Sequence, residues 1–253
     1  MHILTKKTRS ILISFSGIDG AGKSTQIAGL RARIERAGTR VHVITFWDDV
    51  ARLTRLREAG GHALFKGDKG IGSPDKPINR RDKNVRSWPM SLIRLGLYFA
   101  DAVSLRLAVK KALTSDADFI IFDRYAYDEL SNLELSNLVN RAYIRLIMKI
   151  VPRLHASFLL DEDPIQARAR KPEYPIEFLH ASRASYKRLC ELIGGISIIN
   201  PMPVHEVQQR IWKHVEKLLA VDDRQNVQNE QLIDGDHHIR TRLNERTIHP
   251  TAS

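Results

Sequence analysis

Five short apolar runs punctuate the chain: Ile11 to Phe15, Val41 to Phe46, Phe119 to Phe122, Ser157 to Leu160 and Ile196 to Ile199. They are rich in β-branched and aromatic residues, too short for helices, and read as buried strands. The segments between them are long enough for crossover helices, with helical patterns expected to begin near Lys23, Ser91, Asp128, Glu177 and Pro203. Strands alternating with helices predict an α/β fold, a parallel sheet covered by helices on both faces.

The rhythm breaks twice. From Arg55 to Pro89 the chain is basic and polar, punctuated by Gly60-Gly61, Gly67, Gly70, Gly72, Pro74 and Pro77, and reads as an insertion or flap over 55–89. After the amphipathic pattern Val204 to Leu219, residues Val221 to Ser253 carry no aromatic and few aliphatic side chains. Such a segment cannot bury enough surface to offset its ordering entropy, so 221–253 is expected to be a mobile hydrophilic tail. Residues 1–220 then form one domain, with a lid over 162–177. No internal repeat is visible.

Composition narrows the class. With 253 residues and 43% hydrophobic content, the chain can bury a full core in one large domain. Its single cysteine, Cys190, excludes an intrachain disulfide and fits a reducing cytoplasm. The opening MHILTKKTRSILISF resembles a secretion signal in charge and hydropathy, but its apolar run leads into a glycine loop instead of a small-residue cleavage site. The apolar stretch Leu92 to Leu113 is interrupted by Arg94, Asp101 and Arg106, short of the roughly 18 uncharged residues of a membrane span. No membrane partner is expected. Forty Lys+Arg against 29 Asp+Glu give a formal charge of +11. The basic residues are dispersed, without an aromatic-interleaved stripe or nucleic-acid motif, so the charge points to a polyphosphate site and away from nucleic acid.

The strongest local signal is Gly17-Ile18-Asp19-Gly20-Ala21-Gly22-Lys23-Ser24, which fits G-x-x-x-x-G-K-[ST] and sits between an expected strand and an expected helix. Glycines let successive backbone N–H groups face an anion, and the helix start adds partial positive charge. Gly17, Ile18, Asp19, Gly20, Ala21, Gly22, Lys23, Ser24 and Thr25 are therefore the candidate nucleotide contacts. Lys23 is expected to reach the β and γ phosphates, and Ser24 to ligate Mg²⁺. The chain lacks an N-K-x-D guanine signature in the Lys83-Asn84-Val85-Arg86 region, so ATP is preferred to GTP.

Two further strand ends carry charge. Phe119 to Phe122 runs into Asp123-Arg124-Tyr125, placing a carboxylate and a guanidinium where open α/β sheets bind ligands. Asp123 is a candidate for Mg²⁺ or its water, and Arg124 for bridging the transferred and accepting phosphates. Leu159-Leu160-Asp161 leads through Pro164 to Arg168, Arg170 and Lys171, a candidate lid able to neutralise charge and exclude water.

The run Gly17 to Gln26, the Asp123-Arg124-Tyr125 triplet and the Leu160-Asp161 strand end before an arginine-bearing lid together resemble the thymidylate kinase family of P-loop nucleoside monophosphate kinases, over most of residues 10 to 218. The resemblance implies a P-loop NTPase fold with a five-stranded parallel sheet in the order 2-3-1-4-5. It also implies transfer of the ATP γ-phosphate to a nucleoside monophosphate such as dTMP, and frequently a homodimer. Asp19 matches the loop acid that contacts the acceptor sugar, and Arg168 or Arg170 would supply the lid arginine. On the acceptor side the chain departs from the family. Thr45-Phe46-Trp47-Asp48-Asp49 stands where Arg-Glu-Pro-Gly-Gly is usual, Arg57-Glu58-Ala59-Gly60-Gly61 resembles that motif further downstream, and Ala102 stands in place of a base-contacting arginine. Arg94, Tyr98 and Asp101 are spaced to share one helix face and form a replacement reader. The candidate acceptor contacts are Asp19, Trp47, Asp48, Arg94, Tyr98, Asp101, Arg124 and Tyr125. Two other readings stay open: a nucleoside kinase with Asp48 or Asp49 as base, and a nucleotide-binding switch or assembly ATPase signalling through the insertion.

Overall fold

Parallel strands covered on both faces need unbroken apolar runs, and the first strand has one: every residue of β1 (Ile11–Ser16) is buried. The computed structural model describes residues 10–50 and 88–220. The expected insertion lies outside them except for its last two residues, which are helical; the Arg57 to Gly61 run and the expected tail also lie outside.

The elements follow in the order β1, α1 (Lys23–Arg36), β2 (Val41–Thr45), a π-helical turn (Phe46–Val50), α2 (Trp88–Leu113), β3 (Phe119–Asp123), α3 (Ala126–Leu130), α4 (Leu138–Ile150), β4 (Ala156–Leu160), α5 (Pro164–Arg170), α6 (Ile176–Ile193) and β5 (Ser197–Ile199). A final helix, α7, covers 204–220. The chain divides into two compact units, Met1–Ile211 and Trp212–Ser253. In the second unit residues 212–220 are helical, and Trp212 Nε1 donates to Glu216.

All five strands are parallel, in the order β2-β3-β1-β4-β5, the α/β P-loop arrangement expected. Register pairs Leu12 with Ile120 and Ile13 with Ile121, so side chains of one parity share a face. Leu12, Ile44, Ile120 and Phe122 join Ala102 and Leu105 of α2, Leu130 of α3, Ile144 and Ile147 of α4 and Leu189 of α6 in one buried cluster. Ile13, Phe15 and Ile121 are buried with the opposite parity, and α1, which packs on β1, β2 and β3, buries Ile27, Leu30 and Ile34. Each such large side chain contributes about 1.5–3 kcal/mol on burial.

Two expectations are revised. The second strand stops at Thr45 because the Asp49 carboxylate turns back and accepts the Thr45 N–H at 2.7 Å, closing a turn at the strand's carboxyl end. The single helix expected from Asp128 is two helices: α3 ends at Leu130, and Asn137 starts α4 by accepting the Val139 N–H at 2.8 Å. No described helix is long and apolar enough to cross a membrane.

Candidate active site

The loop after β1 turns through three glycines at positive φ, Gly17 at 143°, Gly20 at 83° and Gly22 at 83°. Two of them are also required by close approach. A Cβ on Gly17 would meet Leu160 O at 2.6 Å, and one on Gly20 would collide with the backbone of Ala167 in α5. The lid helix therefore lies directly on the loop. Arg170 adds to the contact, its Nη1 donating to Gly20 O at 3.1 Å and to Glu162 Oε2 at 2.6 Å.

Lys23, the first residue of α1, is buried, and its ammonium donates to the carbonyls of Gly17 at 2.9 Å and Ile18 at 3.0 Å. Burial and then the neighbouring Arg124 lower its pKa to about 8, against the attraction of Asp128, Asp19 and Asp123. Ser24 and Thr25 stand exposed on the first turn of α1.

Arg124 is the only non-glycine with positive φ among the described residues, at 71°. A side chain in this region is strained, and such strain persists only where the surroundings over-determine it. Here the Arg124 N–H donates to Phe15 O at 2.9 Å, Nη1 donates to Asp128 Oδ1 at 3.1 Å, and Nη2 donates to Asp19 of the loop. Although burial opposes the charge, Asp128 and Asp19 hold the Arg124 pKa above its ordinary value. Burial likewise opposes charge on Asp19, yet Arg124, Lys23 and Lys171 hold that carboxyl below the ordinary value. For Asp123 burial prevails, and its pKa is raised despite Lys23 and Arg124.

Asp123 and Ser24 fit a magnesium ion by donor chemistry. Both offer hard oxygen, and no group of three or more acidic, histidine or cysteine side chains able to hold a metal ion occurs among the described residues. That sparse set suits an ion held mainly by water and phosphate oxygens, with one or two protein ligands.

On the lid, Arg168 differs from Arg170: its Nε is buried and has no hydrogen-bond partner among the described residues. A cavity of about 200 Å³ opens beside the loop, lined by Gly22, Thr25 and Gln26 on one side and by Leu160, Asn200 and Met202 on the other.

The expected acceptor residues fall in different places. Asp19 and Arg124 meet directly. Asp48 is exposed, while Trp47 is half-buried with its ring edge-on to Phe46. Arg94, Tyr98 and Asp101 do share a face, but it is the inward one, with Tyr98 and Asp101 buried; Arg94 Nε is buried without a hydrogen-bond partner among the described residues. Tyr125 requires correction. Its ring is fully buried against Phe122 and Tyr127 and its hydroxyl donates to Pro152 O at 2.6 Å, so it packs as a core residue.

Sequence reasoning missed Asp128, buried in α3 and hydrogen-bonded to Arg124. It also missed the strut at the end of β4, where Asp161 accepts from Arg183 Nε at 2.5 Å, Arg183 Nη2 at 2.8 Å and Lys187 Nζ at 2.8 Å. An acid at a strand's carboxyl end and basic residues four apart on α6, the second helix after that strand, were the available signals.

No protein-family model matches the chain. Individual relatives do. The chain is 26% identical over 214 residues to a probable thymidylate kinase of Methanosphaera stadtmanae, covering 83% of this chain and 99% of the relative. It is 25% identical over 223 residues to a probable thymidylate kinase of Archaeoglobus fulgidus, covering 85% and 100%. Among solved structures, the thymidylate kinase of Candida albicans superposes with a TM-score of 0.56 at 16% identity, covering 83% of this chain and 92% of that one, a likeness of fold. A thymidylate kinase of Prochlorococcus marinus is 30% identical over 170 residues, 64% of this chain and 72% of the relative, and on that similarity the chain belongs to the thymidylate kinase family.

Proposed function

We propose that the chain transfers the γ-phosphoryl group of ATP to a nucleoside monophosphate, dTMP or a close relative. The observation that carries this reading is Arg124, a guanidinium pinned between Asp19 of the phosphate loop and Asp128 of α3. A fixed planar cation at the carboxyl end of β3, beside the loop, suits the bridging of a donated and an accepting phosphate.

The loop N–H groups and the start of α1 cradle the polyphosphate. The cavity bounded by Gln26 and Met202 accepts the adenine ring. Lys23 exchanges its bonds to the Gly17 and Ile18 carbonyls for phosphate oxygens, which restores a fully cationic ammonium. Ser24 and Asp123 would hold Mg²⁺, which would supply neutralisation of the phosphate charge. Because Arg170 is already tied to Gly20 and Glu162, Arg168 is the lid arginine with a donor to give, and the lid excludes water around it. A phosphate acceptor needs no general base, and Asp49 is committed to the Thr45 N–H.

The acceptor lies against Asp19, Trp47, Asp48, Arg94, Tyr98 and Asp101, with Arg94 and Asp101 reading the base or sugar. The protein works as a cytoplasmic homodimer. Exposed Leu92, Phe99, Val103 and Leu107 give α2 an apolar outer stripe for a second copy. Coupled ADP release across a panel of monophosphates tests the reading.

A further inference from the structure

The Asp128 carboxylate is buried and accepts four hydrogen bonds, two on each oxygen. Oδ2 accepts from Ser16 Oγ at 2.6 Å and from the Tyr125 N–H at 3.1 Å. Oδ1 accepts from Arg124 Nη1 at 3.1 Å and from the Tyr186 hydroxyl at 2.7 Å. Only the Tyr125 bond is a helix cap for α3; the other three serve no local need. Their donors come from functionally distinct places. Ser16 ends β1 immediately before the phosphate loop, Arg124 occupies the left-handed backbone position between β3 and α3, and Tyr186 belongs to α6, the helix that follows the lid.

We propose that Asp128 is a positioning residue for phosphoryl transfer: it fixes the Arg124 guanidinium over the loop and, through Tyr186, ties that placement to the helix behind the lid. The inference rests on the phosphotransfer reading above. All four lone-pair sites of the carboxylate are used, so a side chain with fewer acceptors must release at least one of the three parts. Asparagine keeps the shape but presents an N–H₂ to two of the four donors. Arg124, released from Asp128, keeps Asp19 as its remaining side-chain partner among the bonds described and can pivot about it. Since Tyr186 is itself buried, its hydroxyl has Asp128 as a fixed anchor, and α6 cannot shift without pulling on the same carboxylate.

The test is a double-mutant cycle read by single-turnover transfer from Mg·ATP to dTMP and other nucleoside monophosphates. Asp128→Asn should lower the transfer rate about 10²-fold, as expected for a misplaced catalytic group, and leave the KM for ATP within about threefold. In an Arg124→Ala background the same substitution should cost less than about threefold, because the residue through which it acts is gone. Equal losses in both backgrounds would overturn the proposal, as would a fall in melting temperature with the rate unchanged. Should Asp128→Asn not fold, Tyr186→Phe and Ser16→Ala each delete one bond; smaller losses that vanish with Arg124→Ala support the proposal, and additive ones overturn it. A readout without substrate separates this from the fate of the kinase reading. The slowly exchanging guanidinium NMR signal of Arg124, assigned by its loss in Arg124→Lys, should shift or broaden in Asp128→Asn. An unchanged signal counts against Asp128 even if no monophosphate is turned over, an outcome that would by itself sink only the kinase reading.

Discussion

Gly20 and Ala167 touch backbone to backbone: a Cβ on Gly20 would stand within 2.9 Å of the Ala167 Cα and closer still to its carbonyl oxygen. The phosphate loop and the lid helix are therefore seated on one another through a position that admits only hydrogen.

Gly20→Ala and Gly22→Ala separate contact from strain. Both glycines have φ of 83°, but nothing lies within 4 Å of a Cβ on Gly22. Each substitution should cost about 1–3 kcal/mol of backbone strain in denaturant unfolding. Gly20→Ala should in addition lift the lid and weaken Mg·ATP binding by calorimetry at least about tenfold more than Gly22→Ala. Equal binding losses would show that the lid does not depend on this contact.

Lys23 predicts a pH dependence. Its folded pKa of about 8 lies below the ordinary 10.5, so the folded protein binds fewer protons than the unfolded chain between those values. The cost of burying the charge is fully present below pH 8 and is relieved as pH rises toward 10.5. Nucleotide binding runs the other way. Phosphate restores the ammonium, so above pH 8 binding takes up a proton and the affinity for Mg·ATP should fall by up to about tenfold per pH unit. Lys23→Met should bind weakly with no such slope; a wild-type profile equally flat over the same range would refute the assignment.

Tyr125→Phe should leave the KM for both substrates unchanged. The hydroxyl it removes donates to Pro152 O in the core, so the loss should be about 1 kcal/mol of stability. A rise in acceptor KM would return Tyr125 to the substrate site.

Asp161→Asn should loosen α6 from the end of β4. Arg183 and Lys187 are partly exposed, so solvent screening limits the cost to about 1–3 kcal/mol. Burial would raise the Asp161 pKa, but Arg183 and Lys187 lower it below the ordinary value of 3.8. The stability it contributes is present above that value and is lost as pH falls through the depressed folded pKa, a dependence that acid unfolding of Asp161→Asn should lack.

What the sequence makes legible follows from local physics. The loop is readable because its backbone requires glycine at fixed spacing, and the strands because β-branched runs of this length have few other uses. The strand order is not written in any one segment and comes only with the family resemblance. Asp128 is invisible for a different reason: an acid in the first turn of a helix is commonplace, and its partners Ser16 and Tyr186 lie 112 and 58 residues away. Tyr125 misleads because it adjoins Arg124, yet the positive φ at Arg124 reverses the chain and sends the tyrosine into the core. The Arg94, Tyr98 and Asp101 spacing correctly predicts one face without saying whether that face is turned in or out.

The most direct test of the central claim is coupled ADP release with Mg·ATP over a panel of nucleoside monophosphates and nucleosides, with Lys23→Ala as the blank. The account predicts turnover with dTMP or another monophosphate, lost in Lys23→Ala and reduced by about 10³-fold or more in Arg124→Ala. Activity confined to nucleosides, or ATP hydrolysis indifferent to every acceptor, would contradict it.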